Sequence, residues 1–353
     1  MLTRCVSSWA VVMTLAVLTV VAPAPVAGQA AKNFTPIRMP WGDPNISGNF
    51  TSKEEMNTPL ERPDEFAGKR IEDVTPQELA AAVRTRQRNA VVNAPYAGGG
   101  SRARGVALSV PIHWLDHLDA GNSRPWLVID PPDGKVPPLT RAAQQRSAAR
   151  AAGRRERGSA ESYTDRGLWD RCVTFGVPSM ISQYYGASFQ ILQTKDYVAI
   201  RYEMVHETRV IPIEGRGAAR PHNPSKLRTY FGDATARWEG NTLVVDTANL
   251  NGKVGGYSLF LASDENLHLV ERFTRTASNR VEVTTTVEDP TVWTRPWTYT
   301  IPLTENDGQP IFEYACHEGN YGLRNILSGA RADEKNGVVP SDDVRIADEP
   351  THE

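Results

Sequence analysis

Between residues 187 and 316 the chain alternates apolar and polar positions in short runs, the period-two pattern of strands that bury one face. That pattern predicts strands over 189–194, 197–205, 209–213, 235–238, 243–247, 267–274, 280–288, 297–303 and 311–316. Turn-forming residues such as Glu239-Gly240-Asn241 and Asn306-Asp307-Gly308 separate most of them, and no helical run intervenes. Consecutive strands with short connections favour an antiparallel up-and-down meander. Closure into a lipocalin-like barrel would remove the two open edges that a flat sheet of this size leaves exposed. The fold class expected is therefore mainly β, an up-and-down barrel with an N-terminal extended arm and two helices.

The pattern before residue 187 is different. Pro36, Pro40, Pro44, Pro59 and Pro63 are spaced too closely for regular structure, so residues 31–70 read as an extended arm. Within it, 43–51 can supply one short strand that buries Ile46 and Phe50. Thr75, Pro76 and Glu78 form a capping box and predict a helix over 76–91. Residues 126–130 read as a short apolar strand that ends in a Pro/Gly turn. After Pro137 and Pro138, Thr140 caps a run of Ala and Arg to about Arg157 that has almost no apolar face. Despite its arginines, this run reads as a solvated connecting helix rather than a nucleic-acid contact, though it is also the natural contact surface if the chain is an interaction module. The expected organisation is a targeting segment over 1–30, the arm and helices over 31–165, the barrel over 166–330 and a disordered tail over 331–353.

The N-terminal pattern indicates export. Arg4 precedes an apolar run from Trp9 to Val21, followed by Pro23, Pro25, Gly28 and Ala30, which reads as a secretory signal peptide with a periplasmic or extracellular destination. Its removal takes Cys5 and leaves Cys172 and Cys316, which are compatible with one disulfide or with two free thiols. Net charge is −2, with 39 Lys and Arg against 41 Asp and Glu. That balance points away from nucleic acid and from a charged membrane surface and leaves a small molecule as the expected partner, with no stable membrane insertion after cleavage.

Five segments carry a resemblance: VIDPPDGKVPPLT at 128–140, ARWEGNTLVVDTANL at 236–250, LHLVERFTR at 267–275, EDPTVWTRPWT at 288–298 and YACHEGNYGL at 314–323. Together they resemble a large family of secreted bacterial proteins without an established reaction. The resemblance spans nearly the whole chain after residue 30. It implies export and a single folded unit, and it transfers no catalytic residue.

Polar residues on apolar strand faces are the candidates for chemistry. Alternation places Glu271 among Leu267, Leu269 and Phe273, and His206 in line with Val198, Ile200 and Met204. It places Asp246 beside Val244, and Glu313 and His317 beside Ile311 and Ala315. A carboxylate inside an apolar barrel must be paired or protonated, so Glu271 with His206 or His317 forms a candidate acid/base set. The competing reading is an ion pair between Glu271 and Arg201, Arg237, Arg272 or Arg295 that fixes strand register. Asp246, Glu313, Trp238, Trp297, Tyr299 and Tyr202 are candidate ligand-binding residues, their aromatic rings suiting a flat or apolar ligand. The His206-Glu207 and His317-Glu318 pairs are weak metal signals, because adjacent strand residues face opposite ways. No metal or cofactor is assigned. The sequence lacks a nucleophile elbow, a P-loop and a dinucleotide-binding glycine pattern. Two functional expectations follow: an exported barrel that binds an apolar or aromatic small molecule, or a hydrolase or lyase that uses the buried carboxylate and histidine on the same scaffold.

Overall fold

A computed structural model of the protein describes residues 34–56, 58–92, 121–158, 160–175, 186–216, 221–253, 265–309 and 311–337. The expected signal peptide lies outside these residues. Ten strands follow in chain order: β1 (Gly48–Thr51), β2 (Val128–Asp130), β3 (Ser188–Gln193), β4 (Tyr197–Tyr202), β5 (Thr208–Pro212), β6 (Asp233–Glu239), β7 (Thr242–Ala248), β8 (His268–Ala277), β9 (Arg280–Glu288) and β10 (Trp297–Glu305). Among the described residues three α-helices accompany them: α1 (Pro76–Val92), α2 (Arg141–Arg157) and α3 (Tyr321–Lys335).

The strands form one antiparallel sheet in the order β5-β4-β3-β1-β10-β9-β8-β7-β6, with β2 pairing separately onto β10. Two meanders, β3 to β5 and β6 to β10, are thus joined by β1 from the arm, which pairs with β3 on one side and β10 on the other. The curl is nearly closed, and its seam has a topological cause. Nine strands that alternate in direction leave the two end strands running the same way, so β5 and β6 can meet only in parallel. They touch through a single parallel bridge, Ile213 to Ala236, beside which the Glu214 N–H donates to the Ala236 carbonyl at 2.6 Å. The architecture is the expected lipocalin-like barrel, with a strand from the arm inserted between the two meanders.

Local signals account for the helices. The Thr75 hydroxyl accepts from the Glu78 N–H at 3.3 Å while Glu78 accepts from the Thr75 N–H at 2.9 Å, the reciprocal box that opens α1. Thr140 caps α2 by accepting from the Ala143 N–H at 3.1 Å. Gly232 is required where the chain turns into β6. Its φ is +69°, and a Cβ there would stand 2.5 Å from the Ala248 carbonyl oxygen. Two expectations are corrected. Residues 311–316 form no strand, and the chain instead runs irregularly to α3, which continues across residue 330 to Lys335.

One contiguous apolar core fills the barrel, built from inward residues such as Phe50, Phe189, Ile200, Leu243, Val245, Leu269, Phe273, Val283, Trp297 and Leu303. Outward positions are in general less buried, most clearly on β5, where Val210 is 63% exposed between buried Arg209 and Ile211. Cys172 and Cys316 are joined in a disulfide with Cα atoms 5.7 Å apart, tying the segment before β3 to the segment after β10.

Candidate functional site

A polar centre stands inside the apolar barrel. Val245, Glu271, Thr285 and Tyr299 are successive register partners across β7, β8, β9 and β10, so one row of the inner wall carries a carboxylate and two hydroxyls. From β5, Arg209 meets that row. Its Nη1 donates to Glu271 Oε1 at 3.0 Å and its Nη2 to Oε2 at 2.6 Å, a two-point ion pair whose members are 4% and 0% exposed. The same nitrogens also donate to the Tyr202 hydroxyl at 3.2 Å and to Thr247 Oγ1 at 2.9 Å. The buried Nε–H of Arg209 has no hydrogen-bond partner among the described residues.

Burial disfavours the charged guanidinium, but the Glu271 carboxylate against it prevails and holds Arg209 above the usual arginine range. Burial pushes the Tyr202 phenol up to about 12, against the opposing Arg209 charge, and raises Tyr299 as well. Both carboxylate oxygens of Glu271 are engaged by one guanidinium in a two-point contact that fixes the side chain. Such a group anchors and orients better than it transfers protons. The expected ion pair is present, but the partner is Arg209 rather than Arg201, Arg237, Arg272 or Arg295.

A second polar cluster lies on the outer face of the same barrel end. Asp246 Oδ1 accepts from His222 Nε2 and from His268 Nε2, each at 3.0 Å. His222 Nδ1 stands 3.5 Å from Asp233 Oδ2, and His268 Nδ1 stands 3.6 Å from Glu288 Oε2. Carboxylates and imidazoles therefore alternate along a chain of five residues. The bond to Asp246 raises the His268 pKa, with burial opposing it, and the bond from His268 lowers that of Asp246, again against burial.

The signs give a pH window. The raised imidazole contributes stability that is fully present below its unfolded value of about 6.5 and is lost as pH rises through the folded value. The lowered carboxylate contributes stability that is present above its unfolded value of about 3.8 and is lost as pH falls through the folded value. The stability lost on His268→Gln is thus expected to be largest between about pH 4 and 6.5 and to shrink toward pH 9, as read from urea midpoints across that range. A loss of equal size at pH 5 and pH 9 would remove the electrostatic account.

The sequence-derived candidates separate. Tyr202, Trp297 and Tyr299 are 1%, 0% and 1% exposed and line the interior near Glu271, while Trp238 is half-buried against the same core. Asp246 lies on the outer face, not the inner one as alternation indicated. His206 is outside any strand: β4 ends at Tyr202, Val205 and His206 take φ of 56° and 44°, and the exposed His206 donates through Nδ1 to the Tyr314 carbonyl at 3.0 Å. Glu313 and His317 are exposed on the irregular run before α3, so neither continues a barrel face. Glu271, His206 and His317 are thus held by different elements with different partners.

His222 and His268 were missed. His268 was legible: it sits two residues from Val270, the register partner of Asp246, on the same outer face. His222 lies in an irregular segment whose spacing carries no signal. Among the described residues no group of three or more His, Cys, Asp or Glu is arranged to hold a metal ion. Compared with family models, with curated proteins and with solved structures, the chain shows no match.

Proposed function

We propose that the protein is an exported barrel that binds a small, largely apolar or aromatic molecule, with the Arg209–Glu271 centre as its polar anchor. The observation that carries this reading is the buried Arg209 Nε–H without a partner. A buried donor left unmade costs about 1–3 kcal/mol, and a ligand acceptor would recover it. Phe189, Tyr202, Trp297 and Tyr299 supply the aromatic surroundings. The disulfide fits an oxidising compartment, as the N-terminal segment does. No described helix is long and apolar enough to cross a membrane.

A second reading rests on a separate observation. Two imidazoles converging on one oxygen of Asp246 form an acid/base set with more proton-transfer capacity than the occupied Glu271, and this supports a hydrolase or lyase reaction at the outer cluster.

Native mass spectrometry combined with a turnover assay, on protein purified without chelator or metal-affinity resin, tests both. The binding reading expects a stoichiometric organic molecule, still retained by the Asp246→Asn variant. A protein that arrives empty and takes up no aromatic or apolar compound from a soaked library would overturn it. A protein that carries no organic molecule yet turns over an ester or amide panel, with turnover lost on Asp246→Asn and on His268→Gln, would favour the second reading.

A further inference from the structure

Helix α3 is amphipathic, yet none of its residues is buried. Leu323 and Leu327, one turn apart, present an apolar strip to the segment that holds Tyr163 and Arg171, and a cleft of about 710 Å³ lies between them. Its rim is cationic. Arg324 and Arg331 project from α3 and Arg171 from the opposite wall, against one lining carboxylate, Glu161. The rim guanidiniums are positioned: Arg171 lies over the Tyr163 ring at 5.1 Å, and Arg331 donates to the Glu161 carbonyl at 2.7 Å while pairing with Glu334. The two walls are also joined covalently. Arg171 precedes Cys172, and His317, another lining residue, follows Cys316, so the disulfide joins the two walls one residue away from each of these lining positions.

An apolar floor with a rim of three arginines recognises a molecule with an apolar body and an anionic head. The volume lies within the range of small-molecule sites, which favours a free molecule over a membrane surface. We infer that this cleft binds a single amphipathic anion, of the class of medium-chain carboxylates or aromatic sulfonates. The head lies between Arg171, Arg324 and Arg331, and the body lies along Leu323 and Leu327. This site is outside the barrel and does not rest on the interior binding reading.

Isothermal titration of the full disulfide-bonded protein with decanoate, with decanol as the uncharged control, tests the inference. Decanoate is expected to bind about tenfold or more tightly than decanol, and Arg324→Glu is expected to abolish that preference while leaving decanol affinity within about twofold. Arg324 is exposed on α3, so the variant keeps the fold. Leu327→Asp is expected to weaken both ligands. Equal affinity for decanoate and decanol, or a decanoate affinity unchanged by Arg324→Glu, would overturn the inference. So would capture by phosphatidylglycerol vesicles without binding of free decanoate, because the face would then be a lipid-contact surface.

Discussion

Arg209→Met is expected to lower the unfolding free energy by about 3–5 kcal/mol, because it leaves the Glu271 carboxylate buried in the barrel with its cation gone. Glu271 is fully buried, and its remaining neighbours, Thr285 and Val245 across the ladders, provide no charge to answer it. The Tyr202 and Thr247 hydroxyl oxygens also lose the donors that Arg209 gave them. The companion result decides what the pair does. Arg209→Met combined with Glu271→Leu is expected to recover most of the loss, since apolar replacement of a whole buried ion pair is often neutral or stabilising. Urea denaturation of the two single variants and the double variant gives the coupling directly. If the double variant is as unstable as the single, the centre matters through packing and not through charge. If the double variant is stable yet loses a retained ligand, the charge pair exists for binding, at a cost in stability.

The strands of the barrel were legible because half-buried strands write their period into the sequence. His268, Val270 and Arg272 face out while Leu269, Glu271 and Phe273 face in, as alternation indicates. The same rule failed for Asp246 for a physical reason. Leu243, Val244 and Val245 are all buried, so the apolar centre of β7 shows no alternation that marks which face Asp246 shares. The inward polar residue of β7 is Thr247, whose neutral side chain is not distinguished by residue type from a structural core threonine. His206 was misplaced because alternation was extended past Tyr202 into a turn with left-handed residues that no spacing rule detects. Strand order was legible only in part. A meander predicts neighbours along the chain, but β1 enters from more than a hundred residues away to close the gap between β3 and β10.

The partner of Glu271 was hidden for a related reason. Arg209 alternates with exposed Thr208 and Val210 and lies on the inner face with Ile211, so its own pattern marks it as inward. A single arginine on a five-residue strand, however, is easily taken for a surface residue whose stem lies along apolar neighbours. Its role follows only when the curl brings β5 across the barrel from β8, a long-range relation carried by topology rather than by local sequence. The two acid/base candidates, Glu271 inside and Asp246 outside, sit on adjacent strands one register step apart, since Asp246 pairs with Val270 and Val245 with Glu271. A single strand pair thus separates a closed, arginine-held carboxylate from an open, histidine-held one, and substitutions at the two positions report on different sites.

Reducing the Cys172–Cys316 disulfide, or replacing both residues by serine, is expected to cost about 4–5 kcal/mol of stability. The bond closes a loop with a sequence separation of 144, and in the chain-entropy account its main effect is to restrict the unfolded ensemble. The loop contains every strand from β3 to β10, so cutting it frees the ends of almost the whole barrel at once. The native side loses something more local. The segments around Cys172 and Cys316 are also tied by polar contacts: Trp169 Nε1 donates to the Tyr314 hydroxyl at 3.2 Å, His206 donates to the Tyr314 carbonyl, and the Asn320 amide reaches the Asp170 carbonyl at 3.5 Å. Helix α3 buries none of its residues, and among the described residues Arg331 also ties it to the opposite wall by donating to the Glu161 carbonyl, so its position rests on such polar contacts together with the covalent bond. Thermal unfolding followed by circular dichroism with and without reductant measures the global term, and hydrogen exchange at α3 measures the local one. The expected outcome below the melting transition is a reduced protein that keeps its strand signal while α3 amides exchange faster. If α3 protection survives reduction unchanged, its placement comes from contacts other than the disulfide, and the anion cleft would then persist in a reducing compartment.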